Sequence, residues 1–139
     1  MKRWGTRLHA WVYRLTRGRI LGRLGGQPVL LLESVGRRTG QRRTTPVQYL
    51  PAGDAFVVVA ANAGAPHPPA WWLNLRADPR ARVQVAAATF DVRARETTGE
   101  ERTALWRQLT AANRYLERVA RKAGRELPLV VLNVSRSTP

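Results

Sequence analysis

The run Gly36-Arg37-Arg38-Thr39-Gly40-Gln41-Arg42-Arg43-Thr44-Thr45-Pro46 packs cationic and hydroxyl side chains around two glycines. Glycine lets backbone N–H groups face a ligand, and Arg37, Arg38, Arg43, Thr39 and Thr44 can donate to several oxygens at once. That chemistry suits a phosphate or an oligocarboxylate. The same residues would also serve as a solvated hairpin tip whose arginines discourage edge aggregation. A second stretch, Ala61-Asn62-Ala63-Gly64-Ala65-Pro66-His67-Pro68-Pro69, offers small residues that permit close backbone approach to a flat ligand. His67 stands alone there between prolines and reads as an exposed loop residue rather than an acid or base. In the third, Ala70-Trp71-Trp72-Leu73-Asn74-Leu75, helical spacing lets one Trp line a cleft while the other enters the core, although two core tryptophans is the default.

Composition limits what else these residues could do. The chain lacks cysteine, which removes disulfides, iron–sulfur clusters, cysteine-ligated zinc and thiol nucleophiles. With His9 and His67 the only histidines, and few closely placed carboxylates, no protein-built metal site is expected. Among 139 residues, 24 Lys and Arg stand against 9 Asp and Glu, so the formal charge of +15 calls for a negative partner. Nucleic acid, an anionic membrane and an acidic cofactor all qualify. The sequence shows neither an aromatic-rich exposed strand face nor a recognition helix, so specific nucleic-acid binding is not expected.

The elements that position these stretches follow from periodicity. Lys2, Arg3, Arg7, Arg14, Arg17, Arg19 and Arg23 precede the first carboxylate, Glu33, so residues 1–26 read as a basic arm. Within it Trp4, Leu8, Trp11, Val12 and Leu15 recur at helical spacing, an amphipathic pattern that suits either an anionic membrane surface or docking on the domain. No apolar run in the sequence approaches a bilayer span.

Residues 27–139 then read as one domain. Residues 28–35 predict a strand, 36–40 a turn, and 43–50 the returning strand, with Pro46 arguing for an edge or a bulge. Residues 56–61 predict a buried strand, 62–69 a loop, and 70–77 a short helix stopped by Asp78-Pro79. Val83 and Val85, then Phe90, Val92 and Ala94, alternate as a hairpin. Thr98 with Glu101 predicts a capping box opening a helix that carries Leu105, Trp106, Leu109 and Ala112, continuing or restarting through Leu116, Val119 and Ala120 to Gly124. Residues 129–134 supply the last strand. The expected fold is α+β, mainly β: a small barrel of about six strands with short helices.

The run Leu32-Glu-Ser-Val-Gly-Arg-Arg-Thr-Gly-Gln-Arg-Arg-Thr-Thr-Pro-Val-Gln-Tyr-Leu50, with Phe56-Val-Val-Val-Ala-Ala61 and Pro69-Ala-Trp-Trp-Leu-Asn-Leu-Arg-Ala-Asp-Pro79, resembles the deazaflavin-dependent nitroreductase family of actinobacteria. Val83-Gln-Val85, Val92-Arg-Ala-Arg95, Thr98-Gly-Glu-Glu-Arg102, Trp106 and Arg125-Glu-Leu-Pro-Leu-Val-Val131 extend the resemblance over residues 28–134 in order. It implies a split β-barrel and an oxidoreductase that uses coenzyme F420, whose phosphodiester and oligoglutamate tail are anionic. A split-barrel protein using FMN, and a protein that binds F420 without turnover, are the alternatives.

By the resemblance, Arg37, Arg38, Thr39, Arg43 and Thr44 hold the phosphate and tail, Asn62, Ala63 and Gly64 border the ring, and Trp71 is the aromatic beside the deazaflavin. The loop departs from the family's Ser-Lys-Gly-Gly, which removes a lysine. Nitroreducing members place tyrosines where this chain has Asn113, Leu116 and Val119, leaving Tyr115 as the only tyrosine nearby, so that Tyr115 or a water would supply the proton. The implied reaction is hydride transfer from reduced F420 to a quinone-like, nitro or enone acceptor. The implied location is cytoplasmic, with residues 1–23 touching the inner face of the plasma membrane.

Overall fold

The computed structural model describes residues 23–24 and 27–135. The amphipathic helix expected in the N-terminal arm lies outside the described residues. Within them the strands are β1 (Arg23–Leu24), β2 (Gln27–Val35), β3 (Arg42–Gln48), β4 (Leu50–Ala52), β5 (Ala55–Val59), β6 (Arg80–Val85), β7 (Ala88–Glu96) and β8 (Leu129–Val134). Three helices accompany them, α1 (Ala70–Ala77), α2 (Gly99–Ala112) and α3 (Tyr115–Ala123). β1 pairs with the start of β2, Arg23 opposite Pro28 and Leu24 opposite Gln27.

All pairings are antiparallel, in the order β2–β6–β7–β8–β5–β4, and β3 takes the other edge of β2. Because β3 and β4 are consecutive, residues 42–52 bridge the two ends of this order, β3 on β2 and β4 on β5. The sheet therefore curls into a split barrel. Counted with β3 and β4 as one bent strand and without the two-residue β1, it has six strands, as the sequence pattern predicts.

The returning strand expected over 43–50 is broken at Tyr49. Pro46 sits opposite Leu31 in β3, and Pro51 sits opposite Phe56 in β4. Each lacks an N–H, so neither can donate to a ladder, and the chain changes partners between them. The Tyr49 N–H still donates to the Pro28 carbonyl at 3.0 Å.

Strand alternation distributes two cores. Val130 and Leu132 of β8 and Val58 of β5 join Leu30, Leu32, Val83, Val92 and the α1 residues Trp71, Trp72 and Leu75. The intervening Leu129 and Val131, with Val57, face Leu105 and Leu109 of α2 instead. Strand β8 is thus covered on both faces, which is why its sequence is a continuous apolar run rather than an alternating one.

Two local expectations are corrected. Thr98 occupies the N-cap position of α2, but no side-chain capping bond forms. Glu101 is held by Arg95 instead, at 2.7 and 2.8 Å, a bidentate charge-assisted pair that outcompetes a neutral cap. The segment 62–69 is not wholly loop, since Asn62–Gly64 forms a short helical turn. The end of α3 is as expected: Gly124 adopts φ 64° and donates to the carbonyls of Ala120 and Arg121.

Candidate functional site

The basic turn between β2 and β3 is closed by Gly36 N–H on the Gln41 carbonyl (2.7 Å) and Gly40 N–H on the Gly36 carbonyl (2.8 Å). A Cβ on Gly36 would lie 2.9 Å from Thr39 Oγ1, so glycine is needed where the turn folds on itself. Thr39 is exposed, and its Oγ1 accepts from Gln41 N–H at 3.2 Å within the turn. Arg37 is tethered through its N–H and Nη1, both to Oδ1 of Asn74. Arg42 pairs with Glu33 at 2.6 Å. Arg38, exposed, and Arg43, half-buried, are in no ion pair among the described residues. With Arg37, whose single side-chain bond leaves its other guanidinium N–H groups open, they are the cations of the turn not held in an ion pair. Thr44 follows on β3, half-buried and opposite Glu33.

Further along β3 lies a mainly apolar cavity of about 210 Å³. Its walls are Val47, Gln48 and Tyr49 at the strand break, Val59 and Ala61 at the end of β5, Trp71 of α1, and Leu109, Asn113 and Leu116 at the α2–α3 corner. From Arg43 to Val47 the extended chain spans about 13 Å. Helix α1 makes the same connection from the other side. Trp71 faces the cavity and Asn74, one turn later on the same face, holds Arg37. Both tryptophans are buried, Trp71 at 8% exposure and Trp72 at 5%, and of the two only Trp71 reaches the cavity wall.

Asn62, Ala63 and Gly64 take three consecutive positive φ values, 49°, 54° and 82°. For alanine this region costs roughly 1–2 kcal/mol, so the surroundings must enforce it. They do so from α3 and its C-terminus. The Arg125 guanidinium donates to the carbonyls of Ala65 (3.2 Å), Ala61 (3.3 Å), Ala60 (3.4 Å) and His67 (3.1 Å). Lys122 Nζ lies 3.4 Å from the Ala63 carbonyl, and its stem fills the space a Gly64 Cβ would need. Asn62 Nδ2 also donates to the His67 carbonyl, at 3.1 Å, while the His67 residue is exposed.

On the third side the placements diverge. Asn113 and Leu116 line the cavity, whereas Val119 packs with Ala123 and Leu127 in a separate cluster. Tyr115 is 65% exposed and is not part of the cavity wall; its N–H donates to Asn113 Oδ1 at 3.1 Å. Starting α3 at residue 115 turns Leu116 inward and its neighbour outward. Sequence reasoning missed Gln48, Tyr49, Asn74, Lys122 and Arg125. The signal for Tyr49 is the bracket of Pro46 and Pro51, and for Asn74 a polar residue on the buried face of an apolar helix. Lys122 and Arg125 carry no comparable mark, being two cations among many.

Resolved electrostatic perturbations lie away from this cavity. Arg95 holds the Glu101 carboxyl below its usual range, and Arg80 does the same to Asp78. Among the described residues no cluster of three His, Asp or Glu could hold a metal, and no helix is long and apolar enough to cross a membrane.

Similarity to known proteins agrees with this arrangement. A family model described as F420H(2)-dependent quinone reductase matches residues 4–134. An F420H(2)-dependent quinone reductase of Mycobacterium tuberculosis is 39% identical over 131 residues, covering 91% of this chain and 87% of the relative. The solved structure of an F420-H2 dependent reductase superposes with a TM-score of 0.70 at 28% identity, covering 76% of this chain and 94% of that one. Another, described as a domain-swapped dimer, gives a TM-score of 0.71 at 29% identity, covering 89% and 98%. With a split barrel, a basic turn and an aromatic-lined cavity in one molecule, and relatives of this similarity over most of its length, the chain belongs to the F420H(2)-dependent quinone reductase family, oxidoreductases whose cofactor is coenzyme F420.

Proposed function

We propose that this protein binds reduced F420 along α1 and transfers its hydride to a quinone seated in the cavity. The observation that carries the reading is the pairing on one helix face of Trp71, on the cavity wall, with Asn74, which holds the basic turn. The residues present fit the cofactor. Arg38 and Arg43 offer cations to an anionic tail, and the apolar wall with Trp71 suits a flat ring.

When bound, reduced F420 supplies a hydride. The chain's own contribution is placement. Arg38, Arg43 and the Thr44 hydroxyl bind the tail, Arg37 and Thr39 keep the turn in shape, and Asn62, Ala63 and Gly64 bring backbone close to the ring. Trp71, Leu109 and Leu116 exclude water from the acceptor, and Gln48 and Asn113 offer polar groups to its carbonyls. Such positioning is the main rate term this site can contribute. A quinone that gains a hydride also needs one proton. Tyr115 lies in sequence between the lining residues Asn113 and Leu116, and it or water would deliver that proton.

The relatives' names favour a quinone over nitro and enone acceptors. Location belongs to the same proposal: the basic, Trp-bearing residues 1–23 would touch the inner face of the plasma membrane, beside a lipid-soluble quinone. The test is a fluorescence titration with F420 and with FMN, followed by oxidation of reduced F420 in the presence of menadione, a nitroaromatic or an enone. F420 binding with menadione-dependent oxidation is expected. F420 binding without turnover on any acceptor would make this a carrier, and preference for FMN would overturn the cofactor assignment.

A further inference from the structure

At about 100° per residue, Arg114, Tyr115, Arg118, Arg121 and Lys122 fall within one arc of α3 about 120° wide. The opposite arc, Leu116, Val119, Ala120 and Ala123, packs inward. All five residues of the outer arc are exposed, and Glu117 is the one acid of the helix. Lys122 is turned toward the Ala63 carbonyl. Arg114, Arg118 and Arg121 take part in no ion pair among the described residues. Arg107 of α2 lines a shallow cleft with Arg114 and Glu117 at the same corner, so the cleft carries two cations against one acid. Tyr115, at 65%, is the most exposed of the large apolar side chains described.

We infer that the α2–α3 corner is a docking surface for an anionic lipid bilayer. A solvated helix face needs no exposed aromatic and gains from interspersed acids; this one is short of acids and presents a Tyr. Guanidinium groups around an amphipathic ring match the headgroup region, where phosphates meet the first apolar carbons. The position of the arc adds a reason. The same corner contributes Ala112, Asn113 and Leu116 to the cavity wall, so docking there brings the mouth against the bilayer. A lipid-soluble quinone would then pass from membrane to cavity without crossing water. This delivery role rests on the proposed quinone reading, but the docking does not. The basic arm has no acid and so brings no countercharge to α3.

The experiment is co-sedimentation of the full chain with vesicles of phosphatidylcholine alone and of phosphatidylcholine with phosphatidylglycerol. The comparison protein is the Arg114→Gln/Arg118→Gln/Arg121→Gln variant, checked for an unchanged thermal transition. Each basic residue near an anionic surface strengthens binding roughly fivefold, so the triple variant should partition at least tenfold more weakly onto anionic vesicles. Equal partitioning of the two proteins, or equal binding to neutral and anionic vesicles, overturns the proposal. In parallel, oxidation of reduced F420 is followed with a water-soluble quinone and with a quinone embedded in anionic vesicles. The variant should match the parent on the soluble quinone and fall at least tenfold on the embedded one. If neither protein turns over the soluble quinone, the functional reading fails while the sedimentation result still decides the docking.

Discussion

Asn74 Oδ1 accepts two hydrogen bonds from one residue, the backbone N–H of Arg37 at 3.1 Å and its Nη1 at 3.0 Å. Asn74 is only 5% exposed, so this is a buried acceptor on α1 fixing an exposed turn 37 residues earlier. One N–H of the Arg37 guanidinium is thus tied to the helix, which sets where the exposed group and its neighbour Arg38 sit.

Asn74→Ala should therefore loosen the turn as well as the fold. Two part-buried hydrogen bonds are lost, at about 0.5–1.5 kcal/mol each. The expected outcome is a lower thermal transition together with weaker F420 binding by titration. Arg38→Ala/Arg43→Ala should leave the transition in place and weaken F420 at least tenfold, with a shallower salt dependence, because two screened charge contacts are gone.

At the left-handed turn, Ala63→Gly and Gly64→Ala should act in opposite directions. Glycine relieves the φ of 54° at position 63, so the first should stabilise by about 1 kcal/mol in a thermal melt. Alanine at 64 would meet φ 82° and the Lys122 stem at 2.9 Å, so the second should destabilise by about 1–3 kcal/mol. Combining Gly64→Ala with Lys122→Ala should recover part of that loss, since the clash goes while the backbone strain stays.

Arg125→Ala removes a group shared by four carbonyls of residues 60–67. Hydrogen bonds to a charged donor contribute about 1.5–3 kcal/mol. Hydrogen exchange should speed up across residues 60–67 in the variant while β7 stays protected, and lysine, lacking the planar fork, should rescue little.

The cavity can be narrowed from its own wall. Leu116→Trp would project a larger ring into about 210 Å³. The expected result is a rise in KM for a bulky quinone, several times that for a small one.

Acid sensitivity should be small and traceable to the Arg95–Glu101 pair. The hydrogen bond from Arg95 lowers the Glu101 pKa in the folded protein below its ordinary 4.5. A depressed carboxylate stabilises the fold at pH above 4.5, and that contribution disappears as pH falls through the lowered value. Glu101→Gln should flatten this part of the stability profile and leave stability near neutrality nearly unchanged, because the pair is exposed.

Much of this was legible from local pattern. Alternation around Val92 and Ala94, the apolar run of 129–134, the two-glycine turn and Gly124 as a stop each follow from a few neighbouring residues. The split barrel follows from counting such strands, and the family follows from ordered motifs. Pattern could also nominate Trp71, because a Trp pair at helical spacing gives two sides to one helix.

What only the tertiary structure decided is which donors spend their capacity inside the protein. Arg37 and Arg38 are adjacent and alike in sequence, yet Asn74 claims one and leaves the other outward. Lys122 and Arg125 look like surface charges, yet both reach back about 60 residues, Lys122 to the turn at 62–64 and Arg125 to the carbonyls that flank it. Leu116 and Tyr115 differ by one position, and the start of α3 sends one into the cavity and the other to solvent. The physical reason is common to all three. Charge and periodicity are local properties, whereas a hydrogen bond needs a partner at about 3 Å, and the folded chain alone determines who that partner is.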